Sequence, residues 1–107
     1  MISPLRVSEP ASDEFRAAVR WYEGRRRGLG GEFFDAVVAT LSLIETRPEI
    51  GSSPFRDPET RRMLVSRFPY QVVYRLVPDE IIVVAIAHLR RRPGYWKHRT
   101  TSSPPNR

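Results

Sequence analysis

Gln71-Val-Val-Tyr74-Arg-Leu-Val77-Pro-Asp79-Glu-Ile81-Ile-Val-Val-Ala-Ile-Ala87-His88 is the stretch that decides the fold. Residues 71–77 alternate with a period of two, Val72, Tyr74 and Leu76 on one side and Gln71, Val73 and Arg75 on the other, as a half-buried strand does. Pro78-Asp79 is a tight link. Residues 81–87 are apolar without a break, the pattern of a strand covered on both faces at the centre of a sheet. Upstream, residues 61–67 read as a further strand that breaks at Phe68-Pro69. Residues 49–60, with Gly51, Pro54 and Pro58, read as a loop.

Before the loop the period changes to that of helices. Residues 5–8 form a short opening strand, and Ser8-Glu9-Pro10 marks a helix start, a capping side chain followed by a proline that the first turn tolerates. Ala11, Phe15, Ala18 and Tyr22 recur at helical spacing with Trp21 beside them, predicting an amphipathic helix to about Arg26. Gly28, Gly30 and Gly31 interrupt it as a hinge. Phe34, Val37, Leu41 and Ile44, widened by Phe33 and Val38, predict a second helix that stops at Arg47-Pro48, because the residue before proline avoids the helical region. So short a link makes the two an antiparallel hairpin. The order β-α-α-β-β-β gives an α+β fold: an N-terminal strand, a helical hairpin, then a three-stranded antiparallel meander, in one mostly antiparallel sheet.

At 107 residues the chain can bury about two-thirds of its unfolded surface, enough for one modest core. Residues 1–99 are expected to form that single domain. The tail at residues 100–107, Thr-Thr-Ser-Ser-Pro-Pro-Asn-Arg, has nothing apolar to bury and is expected to be disordered.

Eighteen Lys and Arg against 12 Asp and Glu give a net charge of +6, and Lys97 is the only lysine among the 18. Guanidinium groups grip carboxylates and phosphates with two parallel bonds, so an arginine-rich surface suits an acidic protein or a nucleic acid. With no cysteine, disulfides, thiol nucleophiles and cysteine metal sites are excluded, and a reducing compartment is the default. The opening Met-Ile-Ser-Pro-Leu-Arg-Val lacks the apolar run of a signal peptide, and no segment approaches the ~20 apolar residues of a membrane span. The cytoplasm is the expected location, with no membrane partner.

The stretch richest in chemistry is His88-Leu-Arg90-Arg91-Arg92-Pro-Gly-Tyr95-Trp96-Lys97-His98-Arg99, which holds cations and aromatic rings and no acid. Rooted on a rigid strand, such a set either stacks on bases beside phosphates or anchors a protein interface; the plainer alternative is that Tyr95 and Trp96 fold back onto the core. Arg61, Arg62, Arg67 and Arg75 are candidates to project from the strands, and Arg62 and Arg75 join the candidate docking set. Arg25-Arg26-Arg27 reads as the solvated tip of the hairpin, where a helix C-terminus favours cations. His88 reads as a hydrogen-bonded strand end. The two histidines have no metal spacing, and no metal or cofactor is expected. A nucleophile elbow and a phosphate loop are both missing, since Gly28-Leu-Gly-Gly31 joins two helices and not a strand to a helix.

Taken together and in order, Trp21-Tyr22-Glu23, Gly28-Leu-Gly30 with Phe33, Arg47-Pro48, Arg62, Phe68-Pro69-Tyr70, Val73-Tyr74, and Ala87-His88 through Arg92-Pro93-Gly94-Tyr95-Trp96 resemble the ParE branch of the ParE/RelE toxin superfamily over about residues 5–99. The resemblance implies a toxin of a type II toxin–antitoxin pair, neutralised by a ParD-like antitoxin that wraps it and acting on DNA gyrase. The related RelE branch implies instead a ribosome-dependent mRNA endoribonuclease, with Arg90, Arg91, Tyr95 and His88 as its candidate catalytic groups. In that branch an arginine commonly stands three positions before the third-strand tyrosine; here the position holds neutral Gln71, which tilts the resemblance towards a binding inhibitor. On that reading Arg62, Arg75, Arg90, Arg91, Arg92, Tyr95, Trp96, Lys97 and Arg99 form the surface for antitoxin or target.

Overall fold

The computed structural model describes residues 4–53 and 56–100. The elements run β1 (Leu5–Val7), α1 (Glu9–Arg25), α2 (Leu29–Thr46), a 3₁₀ turn (Pro48–Ile50), β2 (Thr60–Leu64), β3 (Tyr70–Val77), β4 (Glu80–His88) and a last helical turn, α3 (Lys97–Thr100). The expected disorder of residues 100–107 falls, beyond Thr100, outside the described residues.

One four-stranded sheet has the order β1-β4-β3-β2, with β1 parallel to β4 and the other pairs antiparallel. The α+β arrangement expected from the sequence is therefore the one observed, and β4 lies between two neighbours as its apolar run requires. Both helices cover one face, where Tyr74, Phe33, Val37, Ile44, Val72 and Val83 are fully buried. Ser8 caps α1 by accepting the Ala11 N–H at 3.3 Å.

Three sequence expectations shift. The hinge is confined to Arg26, Arg27 and Gly28, with Gly28 left-handed at φ +90°, while Gly30 and Gly31 lie inside α2. Gly30 serves packing: a Cβ there would stand 2.7 Å from the Val19 carbonyl oxygen of α1. The buried stripe of α2 is Gly30, Phe33, Val37, Thr40 and Ile44, whereas Phe34 stays 48% exposed and Val38 38%. Where neighbours such as Phe33 and Phe34 are both apolar, periodicity cannot say which of them faces the sheet. Strand β2 is also shorter than residues 61–67, because Arg67 takes a positive φ of 74° and the chain has already turned.

The second face of the sheet differs most from expectation. It was expected to be partly polar with projecting arginines; its centre is instead a small second core of Val73, Val84, Ala85 and Ala87 roofed by Trp96. A bulge supplies part of it. Val73 pairs with Ala85 and Tyr74 with Val83, so Val84 is the extra residue and turns to the same side as Ala85. Arg75 lies flat there, bonded to Glu59 at 2.6 Å. Arg61 turns inward to the Glu49 and Gly51 carbonyls, and Arg67 pairs with Glu32 at 3.1 Å.

Candidate partner-docking site

Strand β1 is too short to cover all of β4. Their pairing ends at Val83, after which Ser8 N–H donates to the Val83 carbonyl and the chain leaves as α1. The rest of that β4 edge would expose backbone donors and acceptors next to the core, and side chains take the place of the missing strand. Glu14, on the buried side of α1, accepts the Ile86 N–H at 2.9 Å. Arg99 donates to the Val84 carbonyl at 3.0 Å and pairs with Glu14 at 3.1 Å. Tyr95 reaches round the edge and donates its hydroxyl to Glu14 at 2.6 Å. Burial first, and the Glu14 carboxylate second, push the Tyr95 phenol well above the usual tyrosine range. With Trp96 only 4% exposed, the segment after β4 is clasped to the sheet by one apolar anchor and one polar cluster.

Beside the clasp, where β4 ends, a groove of about 550 Å³ opens between α1 and the sheet. Ala17, Ala18 and Ile86 form its floor, Trp21, Tyr22, Tyr70 and Pro69 its walls, and Glu14, His88 and Arg91 the rim near the clasp. Local sequence explains the walls. Tyr70 and His88 are directly paired across β3 and β4, their rings meeting edge to face at 5.1 Å. Tyr22 packs edge-on against Phe68 and Tyr70. Trp21 stands 57% exposed at the far wall with the Arg25 guanidinium 4.9 Å from its ring centre. A large aromatic exposed on a groove wall beside a cation is the composition of an interface anchor.

The candidate residues separate into distinct places. Arg91 lines the groove and stacks on the Tyr95 ring at 3.9 Å. His88 lines it too, with Nδ1 accepting the Arg90 N–H at 3.0 Å. Arg90 and Arg92 are exposed beside it, and Lys97 is exposed on α3. Trp96 and Arg99 belong to the clasp, so they hold the surface in place from beneath. Arg62 and Arg75 lie on the opposite face of the sheet from the groove, Arg62 donating to the Gln71 side-chain carbonyl at 3.1 Å. Two residues that hold the site in place had no role assigned from the sequence, Glu23 standing there only as part of a motif. Glu14 organises the clasp, and its signal is an acid set among Ala11, Phe15 and Ala18. Glu23 accepts the Gly28 and Gly30 N–H groups at 3.0 and 2.9 Å, a carboxylate capping the positive end of α2.

Residues 5–93 match the family model of the ParE toxin of the type II toxin–antitoxin system, parDE. The chain belongs to the ParE toxin family. Two solved structures share this ParE fold. A chain of the chromosomal ParDE TA system from P. aeruginosa superposes with a TM-score of 0.71 at 17% identity, covering 81% of this chain and 96% of that one. A free-state double arginine mutant of the E. coli toxin RelE superposes at 0.70 with 18% identity, covering 94% and 99%. At such identities the likeness is one of fold. No curated protein sequence matches this ParE-family chain. Among its described residues, no helix is long and apolar enough to cross a membrane.

Proposed function

We propose that this ParE-family toxin works by binding, with DNA gyrase as its target, and that the groove beside α1 receives an acidic, amphipathic segment of a ParD-like antitoxin that neutralises it. The observation that carries the reading is the groove itself. It has an apolar floor and an exposed Trp21, and basic Arg91 and Arg25 stand at its two ends. An apolar stripe would fill the floor while its carboxylates meet the guanidinium groups, which combines anchoring with charge complementarity. Catalysis is less well served. The Tyr95 hydroxyl is committed to the Glu14 carboxylate, so it is not free to act on a substrate. Purified toxin in a gyrase supercoiling assay is expected to inhibit the enzyme, and the antitoxin to relieve the inhibition. Undiminished supercoiling at a large molar excess of toxin would sink the gyrase reading.

One observation favours a second reading, a ribosome-dependent endoribonuclease. The Arg62 guanidinium lies on the Gln71 amide and restores a cation next to the position where that branch of the superfamily carries arginine. Primer extension on transcripts after induction separates the two readings: codon-positioned cuts support the nuclease, and intact transcripts with inhibited gyrase support the binding inhibitor.

A further inference from the structure

Among the described residues, Arg91 is the only arginine that lines the groove, and it stands on an exposed stretch running from Leu89 to Pro93. A long side chain on such a stretch is normally solvated and free to change rotamer. The chain reverses directly after it. Gly94 takes a left-handed φ of +80°, a conformation that costs glycine little. Tyr95 N–H bonds back to the Arg92 carbonyl at 3.2 Å, and the Tyr95 ring returns to within 3.9 Å of the Arg91 guanidinium.

The ring is itself held by its surroundings. Its hydroxyl donates to Glu14 at 2.6 Å, the Trp96 ring meets it edge to face at 5.5 Å, and a second guanidinium, that of Arg99, lies 5.2 Å from its centre. Arg99 is anchored in turn on the Val84 carbonyl and on Glu14. Tyr95 is thus tied to α1 and to the edge of β4, yet it does not line the groove. A side chain locked by packing and hydrogen bonds can hold a neighbour in one geometry without meeting the ligand.

We infer that Tyr95 is a positioning residue of the docking groove, which presets Arg91 for an incoming carboxylate and does not itself touch the partner. The role rests on the reading of the groove as the site of an acidic segment. A guanidinium stacked beforehand has less freedom left to lose when the carboxylate arrives. Because Glu14 and Arg99 hold the ring, closure of the clasp and occupation of the groove favour each other, as linkage requires.

Labelling the folded full chain with phenylglyoxal, followed residue by residue by mass spectrometry, tests the positioning with no partner present. In the parent, Arg91 is expected to react about threefold more slowly than Arg90 and Arg92. Tyr95→Phe, which keeps the ring, should retain that protection, and Tyr95→Leu should lose it. The parental comparison stands even if Tyr95→Leu does not fold.

Calorimetric titration with a synthetic amphipathic peptide, carrying glutamates beside an apolar stripe, tests the consequence for binding. Tyr95→Phe should stay within about twofold of the parent, and Tyr95→Leu should bind about three- to fivefold more weakly. With Arg91→Ala already in place, Tyr95→Leu should change the affinity less than about twofold, because the residue it positions is gone. Both Tyr95 variants lose the bond to Glu14 and should unfold at lower urea concentration. A Tyr95 that served stability alone would therefore weaken binding alike in both. That result overturns the inference, as does equal labelling of the three arginines in the parent. Selective protection of Arg91 with no binding of the peptide would instead uphold the positioning and refute the docking reading.

Discussion

The Glu14 carboxylate accepts the Tyr95 hydroxyl at 2.6 Å across the uncovered edge of β4, joining residues 81 positions apart in sequence. The same carboxylate holds the Ile86 N–H and the Arg99 guanidinium. The N-terminal helix, the central strand and the C-terminal segment therefore meet at one side chain.

Replacing that side chain with alanine would leave a backbone donor, a phenol and a guanidinium without their acceptor, close to the core. Glu14→Ala is expected to cost about 3–5 kcal/mol. Glu14→Gln keeps an acceptor for Ile86 but loses the charge facing Arg99, and its cost should be about 1–2 kcal/mol. Urea unfolding followed by circular dichroism checks both values. Equal stability of Glu14→Ala and the parent would show that the edge of β4 is satisfied some other way.

Alkaline pH should act on the same region. All four tyrosines are raised above their ordinary value: Tyr22 and Tyr74 by burial, Tyr70 by burial and then by Tyr22 and Glu14, and Tyr95 by burial and Glu14. An acid whose folded pKa exceeds its unfolded value of about 10 contributes stability that is fully present below that pH and is lost as pH rises through the folded values. Phenolate absorbance is therefore expected to appear at higher pH in the native protein than in urea, together with loss of near-ultraviolet dichroism. Coincident titration curves for native and denatured protein would contradict this.

The glycines at the start of α2 separate local from tertiary demands. At Gly30 a methyl group would strike the Val19 carbonyl at 2.7 Å, and backbone cannot give way as a side-chain tip can. Gly30→Ala is expected to destabilise by about 1–3 kcal/mol. Gly31 has nothing within 4 Å of the same position and is helical, so Gly31→Ala should stabilise by about 0.5–1 kcal/mol. Thermal melts of the two variants should shift in opposite directions, and shifts of the same sign would show that helix propensity, not the α1 contact, dominates at Gly30.

These contrasts mark what sequence could reveal. Strands β3 and β4 were legible because a period of two and an unbroken apolar run are local signals, and Ser8, Pro10 and Pro48 mark helix ends through their own backbone chemistry. The choice of Phe33 over Phe34 was not legible, since both are apolar and only the sheet's position decides between them. The burial of Trp96 stood in the sequence only as the plainer alternative, and what decides for it is a partner surface created by the bulge at Val84. At the site, Arg91 and His88 were legible as a basic run fixed to a strand end. Glu14 was hidden because its partners Tyr95 and Arg99 are distant in sequence, and an acid on α1 looks like any solvated charge until β1 is seen to stop short.

The three consecutive arginines after β4 offer the sharpest test of the docking groove, since composition makes them equivalent and geometry does not. Arg91 lines the groove and lies 3.9 Å from the Tyr95 ring centre, so its guanidinium is held at the rim before any partner arrives. Arg90 and Arg92 are exposed and outside the lining. A cation already ordered by stacking loses less freedom on binding than one that is solvated. Arg91→Ala is expected to weaken binding of an acidic antitoxin peptide about tenfold, or ~1.4 kcal/mol, by calorimetric titration. Arg90→Ala and Arg92→Ala should each change it less than about threefold and act through the salt-dependent association rate. Equal losses at all three positions would mean that the partner senses only the charge of the run, and that the groove beside α1 is not where it docks.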